Sequence, residues 1–233
     1  MRFPAAPRQF EVFNAACSLE NMRFTLTFDG SLPASANSPK PKEKWDIRRQ
    51  LHPQLDELWR TNAALEPMHR LGVWIPRGGY FRTENHHHET IQHPQGRPGE
   101  WNIIAPIEVG GQKFIPLIRE SMSLICELDI LFLRKEDPGH LITQGGDIDG
   151  RIKTLFDGLR MPSKDELAAA GCEPIPQPFY TLLEEDTLIS GFQIKTGRLL
   201  TKPDADIKEV MVIIGVTVKA VHVRGYNLPL LGD

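Results

Sequence analysis

No run in this chain approaches the 18 consecutive apolar residues that a membrane helix requires, so no membrane-spanning helix is expected. Cysteine is scarce. Only Cys17, Cys126 and Cys172 occur, scattered and odd in number, which is neither a disulfide framework nor a paired CxxC zinc pattern. That usage fits a reducing compartment, and we expect a cytoplasmic protein. An excess of basic charge is also missing. With 27 Lys and Arg against 30 Asp and Glu, the net charge is −3, which argues against a broadly basic surface that coats nucleic acid. A local basic patch is still allowed. The first 21 residues lack the apolar core of a signal peptide, because Arg8, Gln9 and Glu11 interrupt it. Glu11 and Glu20 count against a transit peptide.

Proline and glycine are plentiful, 19 of each, and they concentrate in stretches 30–42, 76–116 and 171–178, where long loops are expected. At 233 residues the chain is long enough for one large domain with a real core. Residues 1–21 show no clean period and read as a poorly ordered extension. From Met22 onward, Phe24, Leu26 and Phe28 alternate as in a half-buried strand that ends at Asp29-Gly30. Residues 31–44 read as a loop. Its Lys40, Lys42 and Lys44 suit either plain solvent or contact with phosphates.

Trp45, Ile47, Leu51, Leu55, Leu58 and Trp59 predict helix over 44–65, with Pro53 making two short helices as reasonable as one. Short strands are expected at 71–75, 101–108 and 113–118. Leu124 to Leu133 is apolar on both faces and predicts a central strand. Ile148, Ile152, Leu155, Phe156 and Leu159 predict an amphipathic helix. Ser163 and Glu166 form a capping-box pattern for a second one, stopped by Gly171. Alternation from Glu209 to Val223 predicts a terminal strand. The fold class expected is mixed α/β, of the α+β type: a small mixed sheet packed with helices.

The chemistry concentrates in Gly145-Gly146-Asp147-Ile148-Asp149-Gly150-Arg151-Ile152-Lys153. Two carboxylates sit in a glycine-rich turn before a helix, with a lysine four residues on. Asp149, Lys153 and Asp157 would share one polar stripe. Carboxylates are natural Mg²⁺ ligands, and a nearby lysine can stabilise charge on a phosphate. The same residues equally suit a helix cap and a surface ion pair. A P-loop is excluded because Arg151-Ile152 replaces its Lys-Ser/Thr, and an EF-hand because the required ligand spacing fails. His86, His87, His88 and His93 read as a solvated loop, because consecutive side chains diverge. Trp45, Trp59, Trp74 and Trp101 read as packing residues.

The segment Asp147 to Leu159, together with Glu185-Asp186 ahead of Thr187-Leu188-Ile189, resembles the signature of the RusA family of Holliday-junction resolvases. That signature runs Asp-x-Asp-Asn-x-x-Lys, then an apolar pair, Asp, a small residue and Leu, with an acidic pair downstream. Here Gly150 replaces the Asn, and the stretch between the two acidic groups is longer than in the family. The resemblance implies one RusA-like domain over 22–233, with insertions near 60–120 and 162–183. It implies a homodimer that cleaves branched DNA in recombination and repair. Asp147, Asp149 and Asp186 would bind Mg²⁺ or Mn²⁺, Glu185 would be an auxiliary acid, and Lys153 would act at the scissile phosphate. The basic loop of Lys40, Lys42 and Lys44 would contact DNA. The alternative is a RusA-like module that binds DNA or protein without cutting.

Overall fold

The computed structural model describes residues 21–32, 40–76, 100–135, 148–171, 175–200 and 209–231. The expectations for residues 1–20, for the histidines at 86–88 and 93, and for Cys17, Asp147 and Cys172 fall outside these described residues. The chain is a mixed α/β protein. Its main sheet has four strands in the order β1-β9-β6-β8. These are β1 (Arg23–Ser31), β6 (Leu124–Arg134), β8 (Ile189–Arg198) and β9 (Glu209–Ala220). β9 runs antiparallel to both β1 and β6, while β8 runs parallel to β6.

The alternation in these strands sets which face is covered. Leu124, Cys126, Leu128, Ile130 and Phe132 of β6 are buried, as are Val210, Val212, Ile214, Val216 and Val218 of β9. Each such side chain contributes about 1.5–3 kcal/mol when fully buried. On the opposite face of β6, Glu127 and Asp129 are exposed. β6 is therefore central in its pairing, as predicted, yet only one of its faces is sealed. β9, late in sequence, is central in space.

Two smaller sheets complete the strands. β2 (Trp74–Pro76) pairs with β3 (Glu100–Asn102). β5 (Gln112–Ile118) joins β4 (Ile107–Val109) antiparallel and β7 (Phe179–Leu183) parallel. All five residues of β7 are buried. The 162–183 stretch, expected as an insertion, thus supplies a core strand that packs against the first helix.

That helix, α1 (Pro41–Thr61), is one continuous element through Pro53. Pro53 lies on the exposed side, where water can take the hydrogen bond that its missing N–H forfeits. The loop expected over 31–44 is shorter than predicted, because β1 extends to Ser31 and α1 already begins at Pro41. A short helix, α2 (Leu65–Leu71), follows in a stretch for which no element was expected, and the strand expected at 71–75 is the short β2. α3 (Ile148–Leu159) and α4 (Lys164–Ala170) match the sequence reading closely, and α4 carries both bonds of the Ser163–Glu166 capping box.

The larger core lies between the four-stranded sheet, α1 and α3. A second cluster gathers Trp45, Ile107, Phe114, Met161, Leu167 and Phe179 between α1, α4 and the β4-β5-β7 sheet. Trp45 and Trp59 are buried and Trp74 and Trp101 half-buried, as packing residues should be. Among the described residues, no helix is long and apolar enough to cross a membrane.

Candidate active site

α3 does not present the face that its apolar periodicity predicts. Its buried stripe is Gly150, Arg151, Thr154, Leu155, Gly158 and Leu159, while Ile152 and Phe156 stay half-exposed. The cause is close approach to α1. A Cβ added at Gly158 would fall 2.7–2.9 Å from three atoms of Ile47. Arg151 is drawn inward to donate to the Leu32 carbonyl.

This rotation separates the acids of α3. Asp149 sits in the first turn, where a carboxylate meets the positive end of the helix dipole. Lys153 follows one turn on, about 6 Å along the axis. Both are exposed, and neither forms an ion pair or side-chain hydrogen bond with a described residue. Asp157, expected on the same stripe, instead turns toward α1. Its Oδ2 lies 2.8 Å from Lys44 Nζ and its Oδ1 3.4 Å from Arg160.

Asp157 belongs to a half-buried network. Lys44 also reaches Glu166 at 3.1 Å, Arg48 pairs with Glu166 at 3.1 Å, and Arg160 pairs with Glu166 at 3.1 Å. Arg48 further donates to the carbonyls of Asp157 and Arg160. Burial pulls the Arg48 guanidinium down to about 10, with Glu166 opposing the shift, so it remains charged at neutral pH. Burial alone would raise the Glu166 carboxyl. Arg48, the Ser163 backbone N–H, Arg160 and Lys44 outweigh it and hold the group below its ordinary range.

The basic loop expected to face DNA is largely consumed. Lys40 is 5% exposed, adopts a left-handed backbone (φ 45) at the start of α1, and directs Nζ to Thr154 Oγ1 at 3.3 Å. Lys44 is held in the network just described. Lys42 alone of the three is exposed. The expectation of three solvent-facing lysines is thereby corrected: two of them brace α1 against α3 and α4.

Asp186 opens a 3₁₀ turn, Asp186–Leu188, that packs against α3. Glu185 and Asp186 are exposed, whereas Glu184 is buried and accepts from the Glu120 N–H at 3.0 Å. Partial burial raises the Glu185 carboxyl, Arg160 opposes the rise, and Asp186, Glu184 and Glu166 add to it. Leu183, two residues earlier, bridges Arg160 and accepts the Met161 N–H at 2.9 Å, which places Glu185 toward the C-terminal end of α3. Asp149 is 11 residues before Arg160, about 16 Å along a helix. Among the described residues, no group of three or more His, Cys, Asp or Glu side chains could hold a metal ion. Asp147, the third acid expected there, lies outside the described residues.

Sequence reasoning missed Arg48, Arg160 and the inward role of Glu166. The available signal was the placement of Arg48 beside Ile47 and Leu51, on the apolar side of α1. No family model, curated protein or solved structure matches this chain.

Proposed function

We propose that the protein is a Mg²⁺-dependent endodeoxyribonuclease of the RusA type, acting on branched DNA such as Holliday junctions, as a homodimer in the cytoplasm. The observation that carries this reading is the treatment of Asp149 and Lys153. The fold spends Asp157 and Lys44 on internal ion pairs, yet leaves Asp149 and Lys153 exposed and unpaired among the described residues. The turn that begins at Asp186 packs on the same helix.

Asp147, Asp149 and Asp186 would hold the cation, whereas Glu185 lies too far along α3 to serve as the expected auxiliary acid; carboxylate oxygens suit Mg²⁺ or Mn²⁺. When bound, the cation would supply an activated water and neutralise phosphate charge. Lys153 stabilises charge on the scissile phosphate, and exposed Lys42 contacts the DNA backbone.

A second reading is a RusA-like module that binds branched DNA or a protein without cutting. What favours it is the pairing of Leu183 with Arg160 and Met161, which sets Glu185 at the far end of α3 from Asp149.

A cleavage assay on four-way junctions and linear duplex, with and without Mg²⁺, tests the proposal. The expected result is Mg²⁺-dependent cutting of junctions, abolished by Asp149→Asn and by Lys153→Ala. Junction binding without cutting at any Mg²⁺ or Mn²⁺ concentration selects the second reading. An absence of both junction binding and cutting refutes the nuclease reading and the DNA-binding form of the second one.

A further inference from the structure

α1 has a second functional flank. Lys42, Trp45, Asp46, Arg49, His52 and Pro53 recur at helical spacing on the side away from Ile47, Lys44, Arg48 and Leu51, which face α3 and the core. This flank is not a flat solvated face. With Ala170 and Gly171 at the end of α4, and Ile175, Pro176 and Phe179 before and in β7, it lines an open cavity of about 710 Å³. That volume lies within the range of small-ligand clefts.

The polar groups facing this cavity have not been absorbed by the fold. Lys42, Asp46 and Arg49 are exposed and form no ion pair or side-chain hydrogen bond with a described residue. Lys42 and Arg49 are seven residues apart, about 10 Å along the helix, with Asp46 between them. His52 is held from behind. Its Nδ1 accepts the Tyr180 N–H at 3.0 Å, and its ring stacks on Phe179 at 4.4 Å with an interplanar angle of 15°. Acceptance at Nδ1 fixes the neutral tautomer, so the proton is on Nε2, a donor with no partner among the described residues. Burial keeps the imidazole below its ordinary range, with Asp56 opposing, which favours that neutral form at physiological pH.

Three donors surround one acceptor on a partly apolar wall. Lysine and arginine bind phosphate oxygens; a carboxylate accepts from a sugar hydroxyl or a base amino group; a ring and aliphatic wall accommodates a flat base. We propose that this groove is a nucleoside-phosphate site, separate from the acids of α3. Lys42 and Arg49 hold the phosphate, Asp46 accepts from the sugar or base, and His52 Nε2 donates to the base or phosphate. The site needs no cleavage chemistry and stands whether or not the protein is a nuclease.

Such a unit comes either as a free nucleotide or within a single strand. Calorimetric titration of the full chain with deoxyadenosine monophosphate, and fluorescence anisotropy with a labelled 12-mer single strand, distinguish the two. In each arm, Lys42→Ala with Arg49→Ala should weaken binding roughly tenfold or more. Affinity that rises with strand length assigns the site to a strand, and saturation by the monomer with no gain in length assigns it to a free nucleotide; both support the site. Both substituted residues are exposed, so the double variant should keep the wild-type melting temperature. If it folds and binds either ligand as wild type does, or if neither ligand binds the wild type, the proposal is overturned. His52→Gln is a second check: it should weaken binding, and unchanged affinity in a folded variant removes His52 from the site.

Discussion

The two ends of α3 treat the same kinds of side chain in opposite ways. At the C-terminal end, Asp157 and Arg160 meet Lys44, Arg48 and Glu166 in a half-buried network that joins α1, α3 and α4. At the N-terminal end, Asp149 and Lys153 are exposed with no charged partner among the described residues. A buried charge left alone costs several kcal/mol, so the first end has to be closed by mutual pairing. An exposed charge has no such requirement and is free to act on something outside the fold. The difference is one of burial, not of residue type. Aspartate and lysine four apart therefore predict neither a salt bridge nor a site until the rotation of the helix is known.

The largest expected effect separates the two ends by activity. Asp149→Asn should reduce junction cleavage by at least about 100-fold while changing stability by no more than about 0.5 kcal/mol, the usual range for a surface substitution. Cleavage and urea melts on the same preparation check both halves. An unfolded Asp149→Asn protein would make Asp149 a structural cap and erase the contrast.

At the other end the order reverses. Glu166→Ala removes the partner of Arg48, Lys44 and Arg160 and the reciprocal bond of the capping box. Its loss should cost about 3 kcal/mol, because Arg48 stays buried with its carbonyl acceptors but without its paired carboxylate. Urea unfolding measures it, and a loss under about 1 kcal/mol would mean that the network is solvated.

Packing sets the next effect. Gly158→Ala forces a methyl against the Ile47 side chain, including its Cβ, which cannot swing aside. About 1–3 kcal/mol should be lost.

The smallest effect is one of pH. Glu166 has a lowered carboxyl, so the unfolded chain takes up its proton first as pH falls. Its stabilisation is full above the ordinary carboxylate value and disappears as pH drops through the lowered one. Glu185 has a raised carboxyl and works the other way. The folded chain holds that proton longer, so its contribution is present in acid and lost as pH rises through the raised value. Glu185→Gln should slightly raise the melting temperature at pH 7 and not at pH 3.5. Glu166→Gln should lower it at pH 7 and have little effect in strong acid. The same sign for both variants would show that the two carboxyls share one environment.

The strands were largely legible because alternation is a local property. Val210 to Val218 declares its buried face residue by residue, and β6 does the same. The caps of α4 were legible for a similar reason, since Ser163, Glu166 and Gly171 act within a few residues of one another. β7 and β8 were not foreseen. Five residues with both sides buried, after three prolines, carry no alternation to read. The edge strand β8 mixes glycine, lysine and half-exposed apolar residues, which weakens the pattern.

Asp149 and Lys153 were legible as residues, from their spacing and the glycine-rich turn before them. Their separation from Asp157 was not. Periodicity gave α3 an apolar stripe through Ile152 and Phe156, while contact with Ile47 through Gly158 turned the helix so that Arg151 and Thr154 went inward. Lys40 and Lys44 show the same limit, reading as a solvent loop although Thr154, Asp157 and Glu166 await them on other elements. By itself the sequence determined the class of fold, the main strands, the start of α3 and the caps of α4, because these depend on neighbours along the chain. Only the tertiary structure decided which charges pair and which remain available, because burial and close approach between α1, α3 and α4 bring together residues more than a hundred positions apart.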